Sequence, residues 1–200
     1  MEMKDLFEIG VKFHGHKCPS MPLGLRGGLA AMEKLGVERA SNRELFCLLE
    51  NGPSHSMICF GDGVQIATGC TFGKGNIERL NYSKSAFTLI DVKNKKAVRV
   101  VLNPALQKTN LTSEYIKLRQ RGIHPKDISP DMIDPIIDNI LNQPEEALFK
   151  ISEVFDYDFK SKKPVIEWYE CESCGEIIFA DRVKIKDGKK LCITCSGYKS

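Results

Sequence analysis

The spacing of apolar positions changes several times along the chain, and each change marks an element. In residues 5–13, Leu6, Phe7, Ile9, Val11 and Phe13 recur among charged positions, which predicts a short amphipathic helix with Asp5 near its N-terminus. Residues 22–35 bring Leu25, Leu29, Met32 and Leu35 round at three- and four-residue steps, the pattern of a helix with one apolar face. Gly24, Gly27, Gly28, Ala30 and Ala31 leave one end of it with little bulk, as close packing requires, and Gly36 stands where a C-terminal cap belongs. Residues 44–50 read as a buried strand, with Cys47 in its core, broken by Asn51-Gly52-Pro53. Asp62 is placed to cap a helix through Val64, Ile66 and Ala67 that stops at Gly69. Residues 86–92 and 97–102 flank the polar turn Lys93-Asn94-Lys95-Lys96 and predict a β-hairpin. Helical patterns follow at 113–121, 130–141 and 144–149, each opened by a serine, threonine or proline, and residues 154–159 return as a strand. Ser161-Lys162-Lys163-Pro164 reads as a linker. The fold class is α+β: a mixed domain over residues 1–160, a short sheet packed by helices, and a small module over 165–200.

Composition narrows the function classes. A net charge of +3 is too small to argue for nucleic acid by itself. No apolar run follows Met1, and nowhere do enough apolar residues run together to span a bilayer, so neither export nor a membrane is expected. Five of the 8 cysteines fall beside histidines or in Cys-x-x-Cys pairs, which favours reduced, metal-bound thiols in a cytoplasm over disulfides.

Cys171-x-x-Cys174 and Cys192-x-x-Cys195 stand 17 residues apart. Four thiolates at that spacing satisfy tetrahedral zinc with no open position. The short apolar runs at 177–179 and 183–185 and the turn Asp187-Gly188 complete a zinc ribbon. So small a piece has little core, and the metal supplies most of its folding free energy. Lys184, Lys186, Lys189, Lys190 and Lys199 tint the ribbon basic, but Glu167, Glu170, Glu172, Glu176, Asp181 and Asp187 offset them. Protein contact is the stronger expectation there, and nucleic-acid binding the weaker.

The second concentration of ligand chemistry is Phe13-His14-Gly15-His16-Lys17-Cys18, which holds half of the chain's 4 histidines. Read as an extended segment, it points His14, His16 and Cys18 the same way. Imidazole and thiolate together suit zinc first, with nickel, iron and copper behind it.

That segment with Pro19 and Gly24-x-Arg26, then Glu50-Asn51, Cys59-x-x-Asp62-x-x-Gln65 and Thr68-Gly69-Cys70-Thr71-x-Gly73-Lys74-Gly75-Asn76, resembles the signature of the FmdE family, named for the E-subunit of formylmethanofuran dehydrogenase. Four separated motifs occur in order over residues 10–105, and the ribbon is similar to the TraR/DksA-type finger that many members carry. The resemblance implies an α+β domain, bound metal, frequent homodimers, and association with formylmethanofuran dehydrogenase operons and molybdenum or tungsten enzymes. The chain departs from the pattern at Gly52-Pro53-Ser54-His55-Ser56-Met57, where His55 is either an extra ligand, a proton carrier or a plain loop histidine.

Residue chemistry and resemblance meet on His14, His16, Cys18, Cys59 and Cys70, three or four of which are expected to hold a second transition metal, zinc first. Arg26, Asp62, Gln65, Lys74 and Asn76 are the candidate ligand-binding lining. The Gly73–Asn76 loop is too short for a phosphate loop, so Lys74 either holds an anion near the metal or sits on a surface turn. Three functions follow in order. The first is a metal-binding accessory to a molybdenum- or tungsten-dependent formyl oxidoreductase, contacting a partner protein or a small anionic or pterin ligand. The second is a hydrolase-like zinc enzyme in which Asp62 or His55 moves protons. The third is a nucleic-acid-binding regulator acting through the ribbon.

Overall fold

Residues 3–53, 57–160 and 164–198 are described by the computed structural model, which divides the chain into two units, Met1–Phe159 and Lys160–Ser200. The first unit opens with α1 (Met3–His14) and α2 (Ser20–Leu35). Nearly every face of α2 is covered: Met21, Leu23, Leu25, Ala30 and Ala31 are buried, and the helix ends at Gly36 in a left-handed cap. Strand β1 (Leu45–Leu49) is followed by α3 (Phe60–Thr68) and β2 (Ile77–Arg79). The hairpin β3 (Ala86–Asp91) and β4 (Lys96–Leu102) comes next, and its Asp91 side chain accepts from Lys93 and Asn94 backbone amides across the turn.

A helical excursion then leaves the sheet: α4 (Pro104–Leu111), α5 (Glu114–Gln120), α6 (Pro130–Asn142) and the single turn α7 (Glu145–Leu148). It returns through β5 (Phe149–Ile151) and β6 (Phe155–Asp156). The sheet runs β2-β1-β3-β4-β5, with β6 also on β4. Only β1–β2 is parallel. Leu23 and Met32 of α2, Phe60 and Val64 of α3, and Leu49, Phe87, Leu89 and Val100 of the sheet share the main core. α4 and α5 bury no residue, whereas α6 buries Ile133, Ile137 and Ile140, one apolar face. No helix among the described residues is long and apolar enough to cross a membrane.

The second unit pairs β7 (Trp168–Glu170) with β8 (Ile177–Phe179), and β9 (Lys184–Lys186) with β10 (Lys189–Leu191), before the turn of helix α8 (Ile193–Ser196). Its apolar cluster centres on Cys171, Ile178 and Leu191.

Several expectations shift. Asp62 does not cap α3: the helix begins two residues earlier, and Asp62 lies in its first turn. Phe149, read as the end of a helix over 144–149, instead opens β5, because residues 149–151 pair with β4 residues 100–102. α4 escapes a reading of the sequence because it has almost no amphipathic pattern, although Asn103 caps it through the amide of Ala105 and Pro104 opens it. β2 is too short to carry a period.

Two glycines set the tightest crossing. A Cβ on Gly24 of α2 would overlap the Phe60 carbonyl, and one on Gly63 of α3 would overlap the Met21 carbonyl, so the two backbones touch. Gly63→Ala is therefore expected to lower the urea unfolding free energy of the first unit by about 3 kcal/mol, overriding the roughly 1 kcal/mol that alanine gains in a helix. Gly73→Ala, with nothing within 4 Å of the added methyl, should stay within about 0.5 kcal/mol. Equal stability of the two variants would refute the close crossing.

Candidate metal centre

His14 is the last residue of α1. Gly15, at φ +88°, closes the helix by donating to the Val11 carbonyl at 2.8 Å and turns the chain back on itself. His14, His16 and Cys18 thus converge around a helix end and not along an extended segment, which corrects the expected geometry. The His14 and His16 rings lie 4.4 Å apart between centroids, and His14 Nε2 lies 3.5 Å from Cys18 Sγ. One ligand atom from each of His14, His16 and Cys18 falls within 4.8 Å of the others.

The first turn of α3 completes the surroundings. Asp62 Oδ2 pairs with His14 Nδ1 at 2.8 Å, and Gln65 Nε2 donates to Asp62 Oδ1 at 3.4 Å. This carboxylate fixes the ring so that Nε2 faces Cys18, the arrangement by which proteins orient metal-ligating histidines. Cys59, at the N-cap position of α3, lies close enough for its thiol to interact with both Cys18 and His14. His16 Nε2 is buried and lacks a hydrogen-bond partner among the described residues. A buried imidazole nitrogen left unsatisfied in this way is costly unless something else takes its lone pair. Zinc–nitrogen bonds of about 2.0–2.1 Å and zinc–sulfur bonds of about 2.3 Å at the tetrahedral angle span an edge of roughly 3.5 Å, which matches the His14–Cys18 distance. The donor set fits a borderline transition metal.

Without metal the cluster polarises itself. The Asp62 carboxylate, helped by Cys59, raises His14 to about 9. The hydrogen bond from Cys18 is the main cause that lowers Cys59 to about 5, with His14 adding to it. Cys18, as the donor of that bond and buried besides, is pushed up. Burial and then the neighbouring His14 charge push His16 down.

Other candidates are placed elsewhere. Cys59 and Cys70 flank opposite ends of α3, nine residues long, which separates them by roughly 13 Å. Cys70 is fully buried in the main core together with Cys47, and burial raises its thiol to about 11. Lys74 donates to the carbonyls of Ala40 and Ser41 at 3.0 and 3.5 Å. Asn76 donates to those of Asn42 and Leu45 and accepts from the Thr71 amide. Arg26 donates to the carbonyls of Ile140 and Leu141 at the end of α6. These three polar groups are engaged by backbone, whereas Asp62 and Gln65 stand beside His14. Glu50 is likewise structural, bound at 2.6 and 2.8 Å by Arg99. His55 lies outside the described residues.

The helical excursion supplies residues that the sequence alone does not bring to the site. A cavity of about 380 Å³ is walled by Cys18 and Cys59 on one side and by Tyr115, Arg119, Gln120 and Pro125 on the other. The His124 ring stands 6.5 Å from that of His16. Tyr115 and Arg119, one helical turn apart, are the signal that could have found this wall.

In the second unit, one sulfur from each of Cys171, Cys174, Cys192 and Cys195 falls within 4.8 Å of the other three. The Cys192 amide donates to Cys171 Sγ and the Cys195 amide to Cys192 Sγ, each at 3.3 Å, and Gly175 turns the first knuckle at φ +76°. This is the ligand set of a structural zinc finger.

Comparison with known proteins places both units. The family model described as "FmdE, Molybdenum formylmethanofuran dehydrogenase operon" matches residues 13–150. The model for the prokaryotic dksA/traR C4-type zinc finger matches residues 167–199. A "Probable S-adenosyl-L-methionine-binding protein" of Archaeoglobus fulgidus is 33% identical over 199 residues, covering 93% of this chain and 51% of its own. The chain thus spans about half the length of that curated relative. An FmdE-like protein of the tungsten formylmethanofuran dehydrogenase type, from Syntrophus aciditrophicus, shares the fold, with a TM-score of 0.63 at 21% identity, over 98% of this chain and 93% of that one.

The metal-free cluster should show itself in thiol chemistry. Cys59, lowered from 9.0 to about 5, contributes stability in full above pH 9 and loses it as pH falls toward 5. His14, raised from 6.5 to about 9, behaves oppositely, contributing in full below 6.5 and losing it as pH rises through 9. Iodoacetamide at pH 7 is accordingly expected to label Cys59 ahead of Cys18 and Cys70, as mapped by mass spectrometry, with a rate midpoint near pH 5. A midpoint near that of a free thiol, about 8.5, would rule out the thiolate–imidazolium pair.

Proposed function

The chain belongs to the FmdE family, and from that premise we propose that its N-terminal unit holds a transition metal, zinc first, between His14, His16 and Cys18, three ligands that leave a tetrahedral position open, with Cys59 beside them. The observation that carries this reading is the convergence of one ligand atom each from His14, His16 and Cys18 within 4.8 Å, beside a His16 Nε2 that is buried without a hydrogen-bond partner among the described residues. Asp62 holds the His14 ring in register, and Gln65 holds Asp62. When bound, the metal supplies Lewis acidity toward a molecule in the cavity that Cys18 and Cys59 wall. In this reading the protein is a metal-binding accessory to a molybdenum- or tungsten-dependent formyl oxidoreductase, consistent with the operon for which its family is described.

The zinc finger's role in this reading is partner contact. Trp168, Ile177 and Phe179 are exposed on the β7–β8 pair, with Trp168 opposite Phe179. Exposed aromatics therefore accompany the lysines of this unit. What argues against nucleic acid is that Lys190 already lies over the Tyr169 ring at 3.9 Å and Lys184 over Tyr198 at 5.8 Å, with acidic residues balancing the charge.

A second reading is a small-molecule enzyme or carrier. It is favoured by the cavity beside Cys18 and Cys59, and the name of the Archaeoglobus relative makes S-adenosyl-L-methionine a ligand to test.

Metal analysis of anaerobically purified protein, with X-ray absorption at each metal edge, decides the central claim. Two metals per chain are expected, one with four sulfur ligands and one with mixed nitrogen and sulfur. His16→Ala and Cys18→Ser should each remove one metal and leave the fold, whereas Cys70→Ser should retain both. Asp62→Asn should weaken the mixed site about 10- to 100-fold. One metal, wholly sulfur-bound, in the unaltered protein would overturn the proposal.

A further inference from the structure

A second cavity, of about 360 Å³, adjoins the one at the metal centre. The two share Ser20, Leu111, Tyr115 and Ile116 as wall residues, so α5 and the end of α4 stand between two chambers of similar size. Their chemistry differs. The first chamber presents two thiols and the Arg119 guanidinium. The second is faced mainly by aliphatic groups, Leu23, Met57, Leu111, Ile116, Pro135 and Ile136.

Arg119 is the cation of this region. One of its nitrogens donates to the Ile123 carbonyl, which steadies the side chain and leaves the other donors of the fork unassigned. It lies near enough to bear electrostatically on both His16 and Tyr115. A guanidinium set beside a metal is the pairing that receives a carboxylate, one oxygen toward each cation. The neighbouring thiolates would repel the same anion unless the metal offsets their charge, so the anion and the metal are required together.

We infer that the two chambers take a single ligand, a small carboxylic acid with an apolar body. Its carboxylate lies between the metal and Arg119, and its body passes Tyr115 into the chamber between α2, α4, α5 and α6. This rests on the metal reading above and names the class of molecule that site receives. Tyr115 and Ile116, on the partition, select for length: a short acid reaches the metal but leaves the second chamber without apolar contact, and a long alcohol fills that chamber without an anion for the cations.

The test uses the full chain loaded with cobalt(II), whose absorption reports the ligands of the mixed site, titrated with acetate, butanoate, hexanoate, octanoate and 1-octanol. Affinity is expected to climb along the acids, reaching on the order of 1,000-fold between acetate and octanoate, which differ by about six buried methylenes. The acids should perturb the cobalt absorption, and octanol should not. Arg119→Met, on the exposed helix α5, should weaken octanoate about 10-fold and leave cobalt binding unchanged. Cobalt that binds but shows no preference for octanoate over acetate overturns this inference alone, as does octanoate binding that is indifferent to Arg119→Met. Cobalt that does not bind at His14, His16 and Cys18 overturns the metal reading, and this one with it.

Discussion

The backbone contact of α2 with α3 is the constraint on which the rest of the first unit depends. Gly24 and Gly63 both sit near the start of their helices, so the crossing holds two helix N-termini side by side. Cys18 stands just before one helix and Cys59 caps the other, and their thiols meet for that reason. Helix N-termini favour thiolate over thiol, and of the two sulfurs joined by this crossing it is Cys59 that is lowered, while the more deeply buried Cys18 is raised. α1 then arrives with its C-terminal end, and His14 docks on Asp62, three residues beyond Cys59.

How much of this was legible follows from how each part is built. The two Cys-x-x-Cys pairs and the His14–Cys18 run are local, and their spacing alone brings the ligand atoms within reach. The amphipathic α2 and the β3–β4 hairpin were legible because period and turn chemistry agree. Cys70 was grouped with the histidines by motif resemblance, but α3 stands between them at full length and gives the thiol to the core. Lys74, Asn76 and Arg26 looked like ligand-binding groups because they are polar residues beside glycines. Their partners are carbonyls tens of residues away, as between Asn76 and Asn42 or Arg26 and Ile140, and no spacing in the sequence reveals such pairings. Tyr115, Arg119 and His124 reach the site only through tertiary folding of an excursion whose first helix, α4, has almost no apolar stripe. The extended reading of residues 14–18 failed on one residue, Gly15, whose positive φ replaces alternation with a helix end.

The two ligand clusters illustrate opposite strategies. In the zinc finger the thiols make up half of a small apolar cluster, and the fold is built around them. In the first unit a large apolar core stands independently, and the His/Cys cluster is mounted on the edges of three helices, where its geometry can serve chemistry instead of stability.

The chain has a single tryptophan, Trp168, exposed on β7 of the zinc finger. The molecule therefore carries a built-in optical division of labour. Tryptophan emission reports the small unit, while far-ultraviolet ellipticity is dominated by the large one. Loss of one unit can be followed without labelling while the other remains folded, and binding to the exposed face of the finger can be read from the colour of that one indole.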